Sequence, residues 1–194
     1  MSSKLIEIFN DEKLIDKIKS RLPHLFQLAE LESSRAGKIG MEVGSLREKI
    51  ITALLIYRFG KENVETEIPI TEPEIDANLF GVPISIKTIT GTRFGGVKLV
   101  WTVDAKKADE FRKNYYPSYD LLFIQINWGS VGGFYYIPLE SQRPGTNPRG
   151  AEITKEALSS LVRDKDAKTI GILWKKTIIE FNPYKRWVDY WKED

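Results

Sequence analysis

The sequence contains no cysteine and only one histidine, His24. Disulfides, cysteine nucleophiles, cysteine-based zinc sites and metal sites built on paired histidines are therefore excluded. A Ser-His-Asp triad would have to use His24, which directly follows Pro23 in a stretch with helical periodicity. We interpret this histidine as a residue of the helix surface. Any catalytic chemistry must come from carboxylates, lysines, hydroxyls and backbone groups.

Long hydrophobic segments are also missing. No apolar run approaches the ~20 residues that span a bilayer, and the N-terminus lacks a secretory signal, so we expect an intracellular, cytoplasmic protein. The 194 residues are 42% hydrophobic and 29% charged, which is typical of globular proteins. We predict one domain, residues 1–194, with a helical part at about 1–60, a sheet at about 61–140, and a C-terminal loop and helices at about 141–194.

The net charge of the whole chain is only +2, but acidic and basic residues are unevenly distributed along it. The range 61–80 holds six acidic residues and one lysine, whereas the range 85–115 holds seven basic and three acidic residues. An acidic segment beside a basic one suits a metal site next to a polyanion. Two ordinary solvated surfaces would give the same pattern, so charge alone leaves both interpretations open.

The order of periodic segments predicts an α/β fold, with a mixed central β-sheet flanked by helices. We expect helices at 11–21 and 23–35, separated by a break at Pro23, and a helix that Ser45 caps and Gly60 ends. A helix capped by Asp104 and another at 154–163 follow. Strands are expected at 64–70, 75–80, 82–89, 97–103, 120–128, 133–139 and 169–174.

Asp76 and Lys87 flank a predicted β-hairpin whose turn centres on Phe80 and Gly81. Because side chains alternate along strands, Asp76 should lie across from Ser85 and diagonal to Lys87. The Asp76 carboxylate and the backbone carbonyl of Ile86 supply the hard oxygen atoms that a divalent cation needs. The lysine can orient or deprotonate a water molecule. Together these groups predict a metal-dependent phosphodiesterase.

A second acid is needed, because Ser85 stands where a carboxylate would complete the site. Glu48 is the best candidate, since it lies at the edge of an apolar stripe on the third helix. Glu48 could instead belong to a capping box that begins at Ser45. Glu74 and Glu67 are the rival acids, and these alternatives stay open on local sequence.

The placement of Glu48 on a helix, Asp76 on one strand and Lys87 on the next resembles the PD-(D/E)xK nuclease superfamily. Within it, the chain resembles a family of type II restriction endonucleases over essentially its whole length. The resemblance implies a restriction-endonuclease-like core and a homodimer that uses Mg²⁺ to cleave duplex DNA at the palindrome CGCG, leaving blunt ends. It implies that Glu48, Asp76 and Lys87 are catalytic, with Glu48, Asp76 and the Ile86 carbonyl at the metal. Ile75 replaces the proline of the motif, and Ser85 replaces its second acid.

Two loops are candidates for DNA contacts. The range 88–96 follows the catalytic strand and offers Thr90 for phosphate and Arg93 for phosphate or guanine. The range 141–150 is long and polar and contains Arg143 and Arg149. Flexible exposed loops would have the same composition. We include Ser85, on the catalytic strand, among the predicted DNA contacts.

Met41 lies in a glycine-rich loop before the Glu48 helix. Its residue type alone favours a core contact, whereas the resemblance favours a wedge that enters the base stack from the minor groove. The C-terminal aromatic residues follow helical spacing, and we predict that they form a helix docked on the core rather than a base-stacking platform. The aromatic positions concerned are Phe181, Tyr184, Trp187 and Trp191.

Two further functions compete with a restriction endonuclease. A structure-selective nuclease of the same fold, such as a junction resolvase, would need the same Glu48, Asp76 and Lys87. A non-catalytic DNA-binding module on a decayed nuclease fold would need none of them. The presence of all three residues argues against decay.

Overall fold

A computed structural model describes residues 3–35, 38–40, 42–69, 71–72, 74–99, 104–142 and 152–193. The helices are α1 (Ile6–Asn10), α2 (Glu12–Glu32), α3 (Val43–Phe59), α4 (Ala105–Asn114), α5 (Lys155–Leu161) and α6 (Lys185–Tyr190). The strands are β1 (Ser34–Arg35), β2 (Lys38–Ile39), β3 (Val64–Glu65), β4 (Ala77–Leu79), β5 (Val82–Thr90), β6 (Val97–Lys98), β7 (Asp120–Ile126), β8 (Val131–Ile137), β9 (Glu152–Ile153) and β10 (Lys168–Leu173).

The main sheet is mixed, as the sequence predicts. Over the described ranges it has six strands in the order β10-β8-β7-β5-β4-β3. Neighbouring strands are antiparallel except β5 and β7, which run parallel and are joined by the crossover that contains α4. A parallel pair requires such a crossover, because a tight hairpin can only join antiparallel strands. The predicted α/β fold class is confirmed.

Each face of the sheet is covered by its own hydrophobic cluster. On one face, α1, α2 and α3 bury apolar side chains against Ile84, Ile86 and the even-numbered residues of β7. On the other face, α5 and the short pair β6–β9 pack against Leu121 and Phe123. Alternation along β5 and β7 therefore divides the sheet into two cores. Among the described helices, none is long and apolar enough to cross a membrane.

Helix α2 continues through Pro23, so the predicted break is wrong. Proline inside a helix costs about 3 kcal/mol or more, because it removes a hydrogen bond and crowds the preceding turn. Ile18, Leu22 and Phe26 are buried on both sides of the proline, and Pro23 itself is buried. Continuous burial of this face outweighs the local penalty, which the sequence signal for a helix end does not register.

Helix α3 begins at Val43, two residues before the predicted start at Ser45. The N-cap is Glu42, and its first turn is closed by a hydrogen bond from the Leu46 N–H to the Glu42 carbonyl at 3.1 Å. Ser45 is therefore a residue of the first turn and not a cap. A capping box requires the serine at the N-cap, so the alternative structural interpretation of Glu48 does not apply.

The predicted hairpin turn at Phe80 and Gly81 is confirmed. Both residues have positive φ, at 50° and 74°, as a type I′ turn requires. This conformation is unfavourable for phenylalanine, but the Phe80 ring packs edge-on against Phe59 with centroids 5.9 Å apart. The Phe80 N–H also donates to the Asn63 carbonyl at 2.8 Å.

Strand β3 is shorter than predicted, because β4 is short and pairs only with Val64 and Glu65. The range 66–69, also predicted as strand, is not strand, and Ile70 lies outside the described residues. Strand β6 likewise ends at Lys98, and the range 100–103 lies outside the described residues. The predicted cap of α4 is confirmed, because Asp104 accepts from the Lys106 N–H at 2.9 Å. Helix α5 is capped by Thr154, which accepts from the Ala157 N–H at 3.3 Å.

The C-terminal helix is not docked on the core, contrary to prediction. Trp187 and Trp191 are 52% and 85% exposed. Their helical spacing indicates one apolar face correctly, but the spacing does not reveal whether that face is covered by the same chain. The described residues of this chain leave it open to solvent.

Candidate active site

Asp76 lies where β4 separates from β5 and is held by β5 through its carboxylate. Its Oδ2 accepts from the Ile86 N–H at 2.6 Å and from the Lys87 ammonium at 2.9 Å, with the Ser85 hydroxyl at 3.4 Å. Strand β4 pairs only with the first part of β5, up to Ile84. The carboxylate thus takes the place of a strand partner for the next part of β5. The hydrogen bonds to β5 therefore fix the Asp76 carboxylate at the sheet edge.

Glu48 approaches the same point from α3. Its Oε1 lies 4.0 Å from the Lys87 Nζ, so the lysine lies between two carboxylates. The three side chains are partly buried, with exposures of 30% for Glu48, 16% for Asp76 and 14% for Lys87. The structure therefore brings together the three residues that the sequence selects from a helix and two strands.

Burial makes the Glu48 carboxyl unusually basic. Desolvation, and then repulsion from Asp76, raise the pKa of Glu48 from 4.5 to about 7, while the Lys87 ammonium opposes the shift. Two carboxylates that face each other in a partly dehydrated site repel unless a cation lies near them. The repulsion indicates a site with capacity for more positive charge than one lysine supplies.

The start of α3 is anchored by a buried ion pair that the sequence analysis did not identify. Arg47 donates to the Glu30 carboxylate from α2, and the Trp128 indole N–H donates to the same carboxylate oxygen at 2.9 Å. The Arg47 and Glu30 side chains are only 6% and 10% exposed. Because Glu48 is the next residue along α3, this network fixes the helix end that carries it. In the sequence, the position of Arg47 beside an apolar stripe is the signal that could have indicated a buried ion pair. That position does not indicate the partner of Arg47.

Glu74 is a second buried carboxylate near the site. It is 9% exposed and accepts a short hydrogen bond from the Tyr115 hydroxyl. Burial raises the pKa of Glu74, and the charges of Lys87 and Asp76 both act on it. Burial and the adjacent Glu74 carboxylate also raise the pKa of Tyr115. The contact ties the segment before Asp76 to the segment after α4. Glu67, the other rival acid, is exposed.

Removing the Tyr115 hydroxyl tests this support. Tyr115→Phe leaves the buried Glu74 carboxylate without its phenol donor, so we expect a loss of about 1–3 kcal/mol in the free energy of unfolding. Denaturant unfolding measures the loss. Tyr116→Phe is the matched control, because Tyr116 is 60% exposed and should change stability little. Equal stability of the two variants would contradict a supporting role for the Tyr115–Glu74 contact.

The donor set at the site fits a hard divalent cation. Glu48 and Asp76 offer carboxylate oxygens, which Mg²⁺ and related ions prefer. Among the described residues, no group of three or more acidic, histidine or cysteine side chains comes close enough to hold a metal ion. A cation here would therefore need a main-chain oxygen and water in addition to the two carboxylates.

The remaining predicted site residues are those that the sequence analysis assigns to DNA contacts. Thr90 and Arg93 are exposed at the end of β5 and in the loop that follows. Ser85 is only 2% exposed and points at Asp76, which corrects its predicted DNA contact: burial leaves almost no side-chain surface for a duplex. Met41, Arg143 and Arg149 lie outside the described residues.

A mixed sheet with helices on both faces, and two carboxylates and a lysine at the edge of its central strand, define a nuclease of the restriction-endonuclease class. The family model for restriction endonuclease ThaI matches residues 8–144 and 139–193. The chain therefore belongs to the ThaI restriction endonuclease family and is a type II site-specific endonuclease. Restriction endonucleases generally use a divalent metal ion.

Comparison with solved structures supports the same assignment. The chain is 55% identical to a restriction endonuclease solved in complex with substrate DNA, with a TM-score of 0.86. The match covers 99% of this chain and 100% of that one. A search of curated proteins gave no match.

Proposed function

We propose that this endonuclease is a single cytoplasmic nuclease domain that acts as a homodimer and uses Mg²⁺ to cut duplex DNA at CGCG, leaving blunt ends. Glu48, Asp76 and Lys87 form its active site. The observation that carries the assignment is the Asp76 carboxylate held by both the Ile86 N–H and the Lys87 ammonium, with Glu48 4.0 Å from the same ammonium. The related structure, which contains substrate DNA, supports duplex DNA as the substrate.

The metal-binding group comprises Glu48, Asp76 and the carbonyl of Ile86. The Ile86 N–H points at Asp76, and the N–H and C=O of one strand residue face the same side. The Ile86 carbonyl therefore faces the sheet edge where the carboxylates lie. A divalent ion, when bound, neutralises phosphate charge and lowers the pKa of water.

Lys87 and Glu48 divide the proton and charge chemistry. The Lys87 ammonium donates to Asp76 and can direct a further N–H at a phosphate oxygen or at the attacking water. Glu48, whose pKa is raised to about 7, can accept a hydrogen bond from that water and hold a proton near neutral pH. Ser85 and the Ile86 N–H keep the Asp76 carboxylate in place while these groups act.

DNA contacts begin at the end of the catalytic strand. Thr90 and Arg93 are exposed there, and the loop is fixed by the Gly91 N–H, which donates to the Ile126 carbonyl at 2.9 Å. Thr90 can donate to phosphate, and Arg93 can bind phosphate or guanine. We also propose that Arg143 and Arg149, which lie outside the described residues, bind DNA. Two copies of the chain related by a twofold axis match the symmetry of a palindrome.

Digestion of a mixed-sequence plasmid with Mg²⁺ tests the proposal, followed by sequencing of the fragment ends. Discrete fragments ending between the two CG dinucleotides of CGCG, without overhangs, are the expected result. Cleavage restricted to branched DNA would indicate a junction nuclease. A mobility shift without cutting would indicate a binding module. Either of these two outcomes, or ends at another sequence, would contradict the proposal.

Met41 is proposed to enter the base stack at a CG step. Opening a step costs a few kcal/mol, so contacts made only by the distorted duplex must offset that cost. Met41→Ala should weaken specific binding and cleavage by roughly ten- to a thousandfold, because ~1.4 kcal/mol is a tenfold change. Binding to CGCG and scrambled duplexes, and the melting temperature, are the measurements.

Met41→Leu serves as the control for this variant. Leucine keeps most of the apolar volume, so its effect should be milder than that of alanine. The melting temperature should barely change in either variant. A loss of about 2–5 kcal/mol in stability, with specific binding preserved, would instead identify Met41 as a core residue.

A further inference from the structure

The C-terminal arm, residues 179–193, presents an apolar stripe to solvent. Tyr184, Trp187, Val188 and Trp191 recur at spacings of three and four residues along α6 and its last turn, so they share one helical face. They are 65%, 52%, 46% and 85% exposed. Contiguous exposed apolar surface of this kind marks an interaction site.

Hydrogen bonds to α2 hold the chain just before the arm, so the position at which the arm leaves the protein is defined. Gln27 on α2 is 5% exposed and accepts from the Thr177 and Ile178 N–H groups at 2.7 and 2.9 Å. Its amide also donates to the Ile178 carbonyl at 3.1 Å. Beyond this anchor, Ile179 is fully exposed. The arm therefore leaves the body of the protein beside α2.

The same chain carries an open apolar groove between α2 and α3. Its floor contains Leu14, Ile18 and Leu22, its rim includes Leu25, Ala53 and Tyr57, and its volume is about 300 Å³. Leu14 and Leu25 are eleven residues apart, so the groove is ~16 Å long at 1.5 Å per residue. The stripe from Tyr184 to Trp191 needs ~10 Å. The groove is therefore long enough for the whole stripe.

The chemistry of the two surfaces is complementary. Lys17 and Arg21 also line the groove, and their cations can lie over the rings of the stripe. Lys17 already lies 4.9 Å from the ring centroid of Tyr57 at the rim. An aromatic helix face with anchors at i, i+3, i+4 and i+7, set in an apolar groove, is a recurrent recognition mode.

We propose that the arm of each chain packs in the α2–α3 groove of a second copy, so that exchanged arms form the homodimer. This inference rests on the proposed function for the need for two copies. Each stripe exposes roughly 400 Å² of aromatic surface, at ~200 Å² per ring. Two arms and the surfaces they cover would bury about 1,600 Å², which is the size of a standard stable interface.

Molecular mass in solution, measured without DNA or metal, tests the interface. The wild-type chain should be a dimer at micromolar concentration, and Trp187→Ala/Trp191→Ala should raise the dimer dissociation constant at least a hundredfold. Ala53→Arg, which fills the groove from an exposed position, should do the same. Tyr116→Ala is the matched control, because it removes an exposed aromatic ring outside the arm.

Disulfide trapping tests the arm-to-groove contact itself, since the chain has no cysteine of its own. A mixture of Val188→Cys chains and Ala53→Cys chains should form a cross-linked heterodimer on mild oxidation. Replacing the groove cysteine with one at Lys98, which is exposed on β6, should abolish the product. A Val188→Cys/Ala53→Cys chain should cross-link between copies and not within one.

Three results would overturn the inference: a monomeric wild type, a dimer unaffected by the tryptophan substitutions, or a disulfide within one chain. The third would mean that the arm covers its own groove. Because these measurements use neither DNA nor metal, they do not depend on the proposed cleavage activity. A dimer linked by its arms that cuts no DNA would refute only the latter.

Discussion

Asp76→Ala and Lys87→Ala are each expected to reduce cleavage of a CGCG duplex by roughly a thousandfold or more, since even one preorganised charge-stabilising group accounts for about 10²–10³ in rate. Asp76 Oδ2 accepts hydrogen bonds from both the Lys87 ammonium and the Ile86 N–H, so its removal takes away the proposed metal-binding oxygen and the partner that orients the lysine. Removal of Lys87 leaves Asp76 and Glu48 without the cation between them. Single-turnover cleavage with Mg²⁺ is the measurement.

Asp76→Asn separates charge from shape in this experiment. The amide oxygen can still accept the Ile86 N–H, so the sheet edge should remain intact. A neutral amide is a weak ligand for a hard divalent cation, so Mg²⁺ binding, measured by calorimetry, should be lost together with cleavage. Glu67→Gln and Lys98→Ala are controls, because both residues are exposed and neither contributes to the Glu48–Asp76–Lys87 cluster. Near-wild-type cutting by any Asp76 or Lys87 variant would remove the site assignment.

The sequence predicts the hairpin part of the site well because its determinants are local. Alternation on both sides of Phe80-Gly81 fixes the turn, and the turn fixes the register that brings Asp76 to Ser85 and Lys87. Only the residue types along about a dozen positions are needed. The positions of the two strands and their side chains follow from the period of a β-strand.

The helical part of the site depends on contacts between distant parts of the chain. Arg47 reaches Glu30 seventeen residues away, and Trp128 reaches the same carboxylate across 98 residues. Neither partner can be inferred from periodicity. The sequence indicates that Glu48 lies near the edge of a buried face but not that α3 is pinned beside it. The Tyr115–Glu74 contact, 41 residues apart, is beyond local patterns for the same reason.

Errors in the predicted elements have the same origin. Pro23 signals a helix end locally, yet buried Leu22 and Phe26 keep α2 continuous. The stripe on α6 signals a buried helix face, yet nothing among the described residues of this chain covers it. Periodicity shows which side of an element is apolar, whereas the identity of the covering surface is set by tertiary or quaternary packing.

Glu48→Gln should lower single-turnover cleavage by several orders of magnitude while making the metal-free protein more stable at pH 8. Glutamine is nearly isosteric, but it cannot ionise, bind a cation strongly or hold a proton for the attacking water. In the metal-free protein the ionised Glu48 carboxylate destabilises the folded state, because burial and repulsion from Asp76 disfavour its negative charge. The variant should therefore lose cleavage activity while it gains stability.

The pH dependence follows from the pKa of Glu48, which is about 7 in the folded protein and near 4.5 in the unfolded chain. Between these values the folded state binds more protons, so the wild-type stability contributed by this group falls as pH rises. Below pH 4.5 the carboxyl is neutral in both states, and the two proteins should melt alike. Above pH 7 the variant should melt several degrees higher in the presence of a chelator, since about 1 kcal/mol shifts the melting temperature by a few degrees. Glu67→Gln, at an exposed site, should show no such divergence. Retained cleavage by Glu48→Gln would transfer the role of second acid to Glu74, the remaining buried carboxylate near Lys87.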